Sequence, residues 1–245
     1  MMVAERRRLD QALVERGLAA SRERAKMMVR AGLVKVGGVM TERPDQMVGA
    51  DQAIELIGAS DYVSRGGEKL AAALDTFAID PRGRRCLDVG ASTGGFTDVL
   101  LQRGAEQVTA VDVGYGQLAW SLRQDPRVIV LERVNIRGLD RLPSPADLAV
   151  IDVSFISLRL VLPRVRELLS PPGDVIALVK PQFEVGRGAV GKGGVVRDPE
   201  QHQQVLGAVG DFARQLGYLV AGQMPSPILG AKGNREFLLY LRRNG

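Results

Sequence analysis

Apolar residues in the first fifty-eight positions recur at helical spacing and then alternate across a glycine pair. Residues three and four apart lie on one face of a helix, whereas alternation around Gly-Gly is typical of a β-hairpin. The pattern predicts three elements: a helix with its apolar face at Leu9, Ala12 and Leu13; a helix capped by Ser21 with its stripe at Ala25, Met28 and Val29; and a hairpin that turns at Gly37-Gly38.

After a short connector, apolar runs of strand length alternate with amphipathic segments of helix length. Strands are predicted at 85–90, 108–113, 128–132, 147–153, 175–180 and 236–241, and helices at 95–103, 116–123, 157–169 and 200–216. A further helix is marked by Leu70, Ala73, Leu74 and Phe77. Such βαβ alternation predicts an α/β fold with a mainly parallel, doubly wound sheet.

Excess positive charge is confined to the start of the chain. Residues 1–43 carry ten Lys and Arg against five Asp and Glu, and the rest of the chain carries 23 of each sign. This asymmetry predicts a polyanionic partner, either a nucleic acid or an anionic membrane surface.

The single Cys86 excludes an intramolecular disulfide, and with one histidine no Cys/His metal cluster can form. We therefore expect no metal cofactor. Cys86 lies in an apolar run and is predicted in the core, whereas His202 lies among glutamines and is predicted on a helix surface. The arginines at the N-terminus precede no apolar stretch, and no run has the length of a membrane helix, so a cytoplasmic protein is expected.

A glycine-rich turn joins the first sheet strand to a helix. The spacing Gly-x-x-x-Gly-Gly differs from the Gly-x-Gly-x-x-Gly of dinucleotide sites, and it resembles motif I of Rossmann-like methyltransferases, which bind S-adenosylmethionine. The candidate cofactor-binding residues here are Asp88, Gly90, Ala91, Ser92, Gly94, Gly95 and Phe96. Asp88 is a candidate either for contacting the methionine end of the cofactor or for ordering the loop.

Two polar residues end the next strands of the predicted sheet. Asp112 closes the second strand, where a carboxylate can accept hydrogen bonds from both ribose hydroxyls of an adenosine. Asn135 follows the third strand and is a candidate for bonding the adenine.

Four charged residues complete the predicted site: Lys69, Asp152, Lys180 and Glu236. Carboxyl ends of parallel strands line one crevice, which brings Asp152 and Lys180 together. Glu236 starts the last strand, and the last strand of a methyltransferase sheet runs antiparallel. The resemblance therefore implies that Glu236 lies at the same edge. A lysine that is neutral can accept the proton of a ribose 2′-hydroxyl. The same four residue types resemble the Lys-Asp-Lys-Glu tetrad of FtsJ-like 2′-O-methyltransferases.

The chain as a whole resembles the TlyA family, the hemolysin-named ribosomal RNA methyltransferases, from about residue 6 to residue 242. The runs 8–10, 21–25 and 32–38 resemble an S4 RNA-binding domain, and the runs 63–70 and 180–184 are the most specific parts of the match. The resemblance implies a Rossmann-like class I methyltransferase sheet behind a small N-terminal α+β S4 domain. It also implies methylation of cytidine 2′-hydroxyls in ribosomal RNA, with ribosomal subunits as substrates.

The expected organisation is an S4-like domain at 1–58, a linker at 59–64 and a methyltransferase domain at 65–245. At residues 60–63 the connector has Ser-Asp-Tyr-Val, where the best-known member of the family has a basic residue and a tryptophan. A glycine-rich stretch at 185–194 is predicted to be a mobile loop over the active site. Candidate phosphate contacts are Arg7, Arg8, Arg22, Arg24, Lys26, Arg30, Lys35, Arg65, Arg187 and Lys192.

Three other functions stay open from the sequence. A membrane-active hemolysin would need an amphipathic or spanning segment, and none is evident. A catalytically silent RNA-binding assembly factor would leave the four-residue site unexplained. The glycine spacing disfavours a nicotinamide-dependent enzyme.

Overall fold

The computed structural model describes residues 6–244, apart from residues 20, 31, 57–60, 187–190 and 192. The chain divides into two compact units, Met1–Ala59 and Ser60–Gly245. The predicted loop over the active site lies partly outside the described residues, so its mobility stays a prediction.

The first unit is a helical pair with short strands around it. Its elements are β1 (Arg6–Arg8), α1 (Leu9–Glu15), α2 (Arg22–Arg30), β2 (Val34–Val36), β3 (Val39–Met40), β4 (Met47–Gly49) and β5 (Ile54–Leu56). Its small core is built by the apolar faces predicted for the two helices together with β2 and β4, and contains Leu9, Leu13, Ala25, Val29, Val34 and Val48. The predicted hairpin is β2 and β3, which pair antiparallel.

The second unit is an α/β domain. Its strands are β6 (Arg85–Val89), β7 (Gln107–Asp112), β8 (Val128–Glu132), β9 (Ala146–Ile151), β10 (Leu169–Val179), β11 (Tyr218–Pro225) and β12 (Phe237–Arg243). Its helices are α3 (Gly66–Thr76), α4 (Gly95–Gln102), α5 (Trp120–Arg123), α6 (Leu162–Leu168), α7 (Pro181–Glu184) and α8 (Pro199–Gln215).

Seven strands form one sheet in the order β11-β12-β10-β9-β6-β7-β8. The pairs from β8 through β10 are parallel, and β12 runs antiparallel to both of its neighbours, as predicted for the last strand. The strand order reverses between β6 and β9. Ligands of open α/β sheets bind at the carboxyl edge beside such a reversal.

Successive residues of each strand point to opposite faces of the sheet, and both faces are covered. Leu87, Ala149 and Ala177 lie in the layer with α6 and α8. Cys86, Leu148 and Ile176 lie in the layer with α3 and α4. This double burial explains why the central strands read as nearly continuous apolar runs. The prediction that Cys86 is a core residue is confirmed.

Two predicted helices are shorter than expected. The segment predicted at 116–123 is helical only over Trp120–Arg123. The segment predicted at 157–169 begins as a 3-10 turn, Leu158–Leu160, and becomes the α-helix Leu162–Leu168 where Pro163 occupies the first turn. The strand predicted at 175–180 is longer, Leu169–Val179, and four strands were not predicted: Arg6–Arg8, Met47–Gly49, Ile54–Leu56 and Tyr218–Pro225.

The prediction that His202 lies on the surface is wrong. Its side chain is buried, Nε2 lies 3.0 Å from the Val196 carbonyl oxygen, and the ring packs edge-on against Phe237. His202 shares the buried face of α8 with Val205 and Val209, three and seven residues further on. Among the described helices, none combines the length and apolar character that crossing a membrane requires.

Candidate active site

The glycine-rich turn after β6 lies in close contact with the segment after β9 and with the segment around α5. Gly90 has a φ of 85°, and a Cβ there would collide with the Asp152 carbonyl at the end of β9. Gly94 has a φ of 96°, and a Cβ there would meet the side chains of Leu118 and Leu122. Only glycine adopts these angles without strain, so the sequence lets the turn lie tightly against both neighbours.

Two adjoining cavities open at the carboxyl edge of the sheet. The larger, about 410 Å³, is lined by residues after β6, β7, β8 and β9, including Gly90, Ser92, Asp112, Gln117, Asn135 and Phe155. The second, about 250 Å³, is lined by Ser64, Lys69, Ala91, Gly95, Phe96 and Lys180 among others. Both cavities share Gly90, Ser92, Asp152 and Ser154. A ligand in the larger cavity would therefore adjoin the predicted catalytic lysines.

Asp112 anchors the wall of the larger cavity. Its Oδ2 accepts a hydrogen bond from the Ser92 N–H at 2.8 Å, and its Oδ1 accepts one from the Gly114 N–H at 2.7 Å. An ionised carboxylate has about four acceptor positions, so two remain for hydroxyl groups of a ligand. Asn135 lines the same cavity, and its Oδ1 caps a 3-10 turn by accepting the Arg137 N–H at 3.1 Å.

Asp88 does not line either cavity. Its side chain is fully buried beneath the turn, where Oδ2 accepts the hydroxyl of Thr97 on α4 at 2.7 Å and Oδ1 has no hydrogen-bond partner. Of its two predicted roles, contact with a ligand does not fit this burial. Ordering of the loop fits, because the Thr97 bond ties β6 to the helix that follows the turn.

Asp88 is expected to make the protein less stable as the pH rises from about 4 to about 7. Burial raises the pKa of its carboxyl to about 7, against the Thr97 hydrogen bond, and the charges of Asp152 and Asp112 add to the rise. Between its unfolded pKa of 3.8 and that value, the native state keeps a proton that the unfolded chain has released. The free energy of unfolding therefore falls as pH rises.

Denaturant titrations at several pH values check this expectation. Asp88→Asn should flatten the decline, whereas the control Asp211→Asn, at an exposed carboxylate, should leave it as in the wild type. A wild-type pH dependence in Asp88→Asn would contradict the burial argument.

The four charged residues form two ion pairs. Lys69 Nζ lies 2.5 Å from Glu236 Oε2, and both side chains are buried. Lys180 Nζ lies 2.6 Å from Asp152 Oδ1, an ionic contact outside hydrogen-bond geometry, and donates to Ser154 Oγ at 2.9 Å. Lys69, Asp152 and Lys180 line the second cavity, and Glu236 lies behind Lys69. The structure thus brings the predicted residues together.

Sequence reasoning did not single out the loop after Asp152, yet this loop forms part of the site. Phe155 is 91% exposed, has a φ of 63°, and its ring centroid lies 5.0 Å from that of Phe183. Glu184 accepts hydrogen bonds from Ser157 Oγ at 2.6 Å and from the Leu158 N–H at 2.7 Å. Together with the hydrogen bond from Lys180 to Ser154, these contacts join the segment after β9 to the segment after β10. In the sequence, the apolar aromatic residue Phe155 close to the strand-ending Asp152 was the signal that could have identified this loop.

The connector before α3 packs against the helix that follows the glycine-rich turn. The Val63 N–H donates to Asp98 Oδ2 at 2.8 Å, and Gln102 Nε2 donates to the Asp61 carbonyl at 3.0 Å. A Cβ at Gly95 would collide with Ser64 Oγ. Residues 61–64 of the predicted linker therefore lie within the second unit.

The predicted phosphate contacts have different surroundings. Arg7 pairs with Glu15, Arg8 and Arg22 pair with Asp10, and Lys26 pairs with Glu23. Arg24, Arg30 and Arg65 are exposed and Lys35 is half-buried. Arg187 and Lys192 lie outside the described residues. The stripe of Arg22, Lys26 and Arg30 is therefore partly neutralised by neighbouring carboxylates.

Residues able to hold a metal ion do not cluster in the described part of the chain: no group of three or more His, Cys, Asp or Glu side chains is suitably placed. The site as built offers a carboxylate at a strand end, a glycine turn and two lysine–carboxylate pairs. Such a set can bind a nucleoside-containing ligand and position a hydroxyl group beside it.

Comparisons of sequence and structure relate this chain to known proteins. A model of FtsJ-like methyltransferases matches residues 62–243, and a model of the S4 domain matches residues 7–54. The 16S/23S rRNA (cytidine-2′-O)-methyltransferase TlyA of Mycobacterium tuberculosis is 51% identical over 98% of this chain and 91% of that protein. Hemolysin A of Brachyspira hyodysenteriae is 39% identical over 95% and 98%.

A solved structure of a hemolysin-named protein from Streptococcus thermophilus is 44% identical, with a TM-score of 0.78 over 99% of this chain and 90% of that one. The family model covers most of the chain, and the relatives align with nearly all of it, including both matched parts. The chain therefore belongs to the FtsJ-like methyltransferase family, with an S4 domain in front of its methyltransferase domain.

Proposed function

We propose that this protein transfers a methyl group from S-adenosylmethionine to the 2′-hydroxyl of a ribose, in cytidine of ribosomal RNA. The observation that carries the proposal is the sharing of Gly90, Ser92, Asp152 and Ser154 by the two cavities. One cavity has the acceptors for an adenosine, and the other has the lysines. A ribosomal substrate would place the enzyme in the cytoplasm.

The residues present fit the cofactor. Asp112 keeps two acceptor positions for the ribose hydroxyls, and Asn135 lines the same cavity and is available to the adenine. When bound, S-adenosylmethionine supplies a methyl group activated by the adjoining sulfonium.

Lys180 is proposed as the residue that takes the proton from the attacking hydroxyl. Its Nζ lies 2.6 Å from Asp152 Oδ1 and donates a hydrogen bond to Ser154 Oγ at 2.9 Å. The proton transfer requires the neutral form of this amine, whose lone pair accepts the proton of the 2′-hydroxyl. The buried Lys69–Glu236 pair fixes a second cation beside the same cavity. The acceptor oxygen, the methyl carbon and the sulfur must lie nearly in line, so the chain also contributes to the rate by positioning the hydroxyl group.

The two units divide the work in this proposal. The S4 domain, residues 1–58, provides affinity for RNA, and residues 65–245 provide the chemistry. The exposed ring of Phe155 at the mouth of the larger cavity can stack against a nucleobase. Neither a membrane-active hemolysin nor a catalytically silent assembly factor would require the two lysine–carboxylate pairs beside this cavity.

Mass spectrometry of nucleosides tests the proposed reaction directly. Ribosomal subunits from cells that lack this enzyme are incubated with the pure protein and S-adenosylmethionine, and the RNA is digested to nucleosides. We expect new 2′-O-methylcytidine. Methylation of a base, or no methylation alongside intact cofactor binding, would contradict the proposal.

A further inference from the structure

A buried carboxylate in the first unit joins two arginines from different elements. Asp10, in the first turn of α1, has no exposed surface. Its Oδ1 accepts from Arg8 Nε at 3.1 Å, and its Oδ2 accepts from Arg8 NH2 at 3.3 Å and Arg22 NH2 at 3.1 Å. Arg8 ends β1 and Arg22 begins α2. One carboxylate therefore fixes two guanidinium groups whose residues are fourteen positions apart in the chain.

Both arginines keep most of their donors for another ligand. Their side chains are 43% and 50% exposed, although their partner is buried. A guanidinium has five N–H donors; Arg8 uses two of them and Arg22 one on Asp10. Burial raises the pKa of Asp10, and the hydrogen bonds from Arg8 and Arg22 outweigh that effect and lower it overall. The carboxylate is thus ionised over the physiological range.

We propose that Asp10 is a positioning residue that holds Arg8 and Arg22 side by side as a phosphate-binding pair for the RNA backbone. Planar guanidinium groups bind phosphate oxygens in a fixed geometry. Two long side chains of like charge would otherwise lose rotamer entropy on binding and repel each other. Asp10 offsets both costs before RNA arrives. The inference rests on the proposed RNA substrate and adds a residue that does not itself contact RNA.

Charge alone and positioning predict opposite results for Asp10→Asn. The substitution keeps the side-chain shape and makes the first unit more positive by one charge, so electrostatic attraction alone would tighten RNA binding. Positioning predicts about a tenfold weaker affinity, equivalent to ~1.4 kcal/mol, and a shallower salt dependence. The matched control is Glu23→Gln, which removes an exposed carboxylate paired with Lys26 and changes the charge equally.

The experiment measures binding of full-length protein to protein-free 16S and 23S ribosomal RNA at several KCl concentrations, without S-adenosylmethionine. We expect Glu23→Gln to bind as tightly as the wild type or more tightly, and Asp10→Asn to bind more weakly. Asp10→Asn binding as tightly as Glu23→Gln would overturn the proposal. Because no methyl transfer is measured, failure of the proposed reaction would leave this result standing.

Two further variants separate positioning from a loss of folding. Arg8→Lys keeps the charge but cannot form the two-point contact, so we expect weaker RNA binding at a temperature well below the variant's own thermal midpoint, where it is fully folded. In an Arg8→Gln, Arg22→Gln background, Asp10→Asn should cost no further affinity, since the groups it positions are gone. A further loss there would mean that Asp10 supports the fold instead, and would refute the positioning role.

Discussion

Replacing Lys180 with alanine is expected to slow single-turnover methyl transfer by about 10²–10⁴, with little change in the affinity for cofactor or RNA. Lys180 directly follows β10 and lines the second cavity. Its Nζ lies 2.6 Å from Asp152 Oδ1 and 2.9 Å from Ser154 Oγ. In the proposed reaction, alanine removes both the group that orients the ribose oxygen and the acceptor for its proton. In the same proposal, most contacts of the cofactor and of the RNA are made by other residues.

Lys180→Arg separates orientation from proton transfer. Arginine keeps the positive charge beside Asp152 but does not release its proton at accessible pH. We expect it to be nearly as slow as alanine in transfer of labelled methyl groups to ribosomal subunits. A near wild-type rate in Lys180→Arg would mean that the lysine acts only as a charge and that the proton leaves to solvent. Cofactor titration of both variants controls for folding of the site.

The crevice could be predicted from the sequence because parallel strands end together. Asp112, Asp152 and Lys180 each close an apolar run, and a polar residue at the carboxyl end of a buried strand has one crevice to face. Glu236 required the direction of the last strand, which the antiparallel pairing of β12 with β10 supplies. The strand-ending residues were therefore predictable from local pattern, whereas the placement of Glu236 relied on the resemblance to methyltransferase sheets.

Features that depend on contacts between elements were not predictable in the same way. Asp88 follows the strand alternation into the layer with α4, but its partner Thr97 is known only once that helix is packed. Glu184 accepts hydrogen bonds from Ser157 and Leu158, which lie 27 and 26 residues earlier in the chain. His202 is different, because its spacing from Val205 and Val209 placed it on the apolar face of the predicted helix. The neighbouring glutamines made that face look polar, and the burial of His202 was therefore missed.

The short strands of the first unit were missed for another reason. β4 and β5 have three residues each, which is too short for an alternation of apolar and polar residues to be distinctive, even in Ile54-Glu55-Leu56 of β5. They are defined by pairing: β4 pairs with β1 and β5 pairs with β2. Such strands form because a partner strand is present, and their own residues encode little of that.

Asp112→Asn is expected to weaken binding of S-adenosylmethionine by at least about 10²-fold. The wild-type carboxylate accepts the Ser92 and Gly114 N–H groups and offers its remaining acceptors to the cavity. Hydrogen bonds to charged groups contribute about 1.5–3 kcal/mol each, and about 1.4 kcal/mol corresponds to a factor of ten. The asparagine amide also turns one donor toward a backbone N–H, so a wall of the cavity loses its anchor as well as its charge.

Isothermal titration calorimetry with S-adenosylmethionine measures this effect, and Asp140→Asn provides the matched control. Asp140 lies in the same unit with a side chain that is 90% exposed, so its substitution removes the same charge away from the cavity. Thermal unfolding of both variants separates a lost ligand contact from a lost fold. If the proposal is right, a folded Asp112→Asn variant does not bind the cofactor as tightly as the control. Equal affinity would mean that this carboxylate does not hold the ribose, and the assignment of the larger cavity to the adenosine would have to be abandoned.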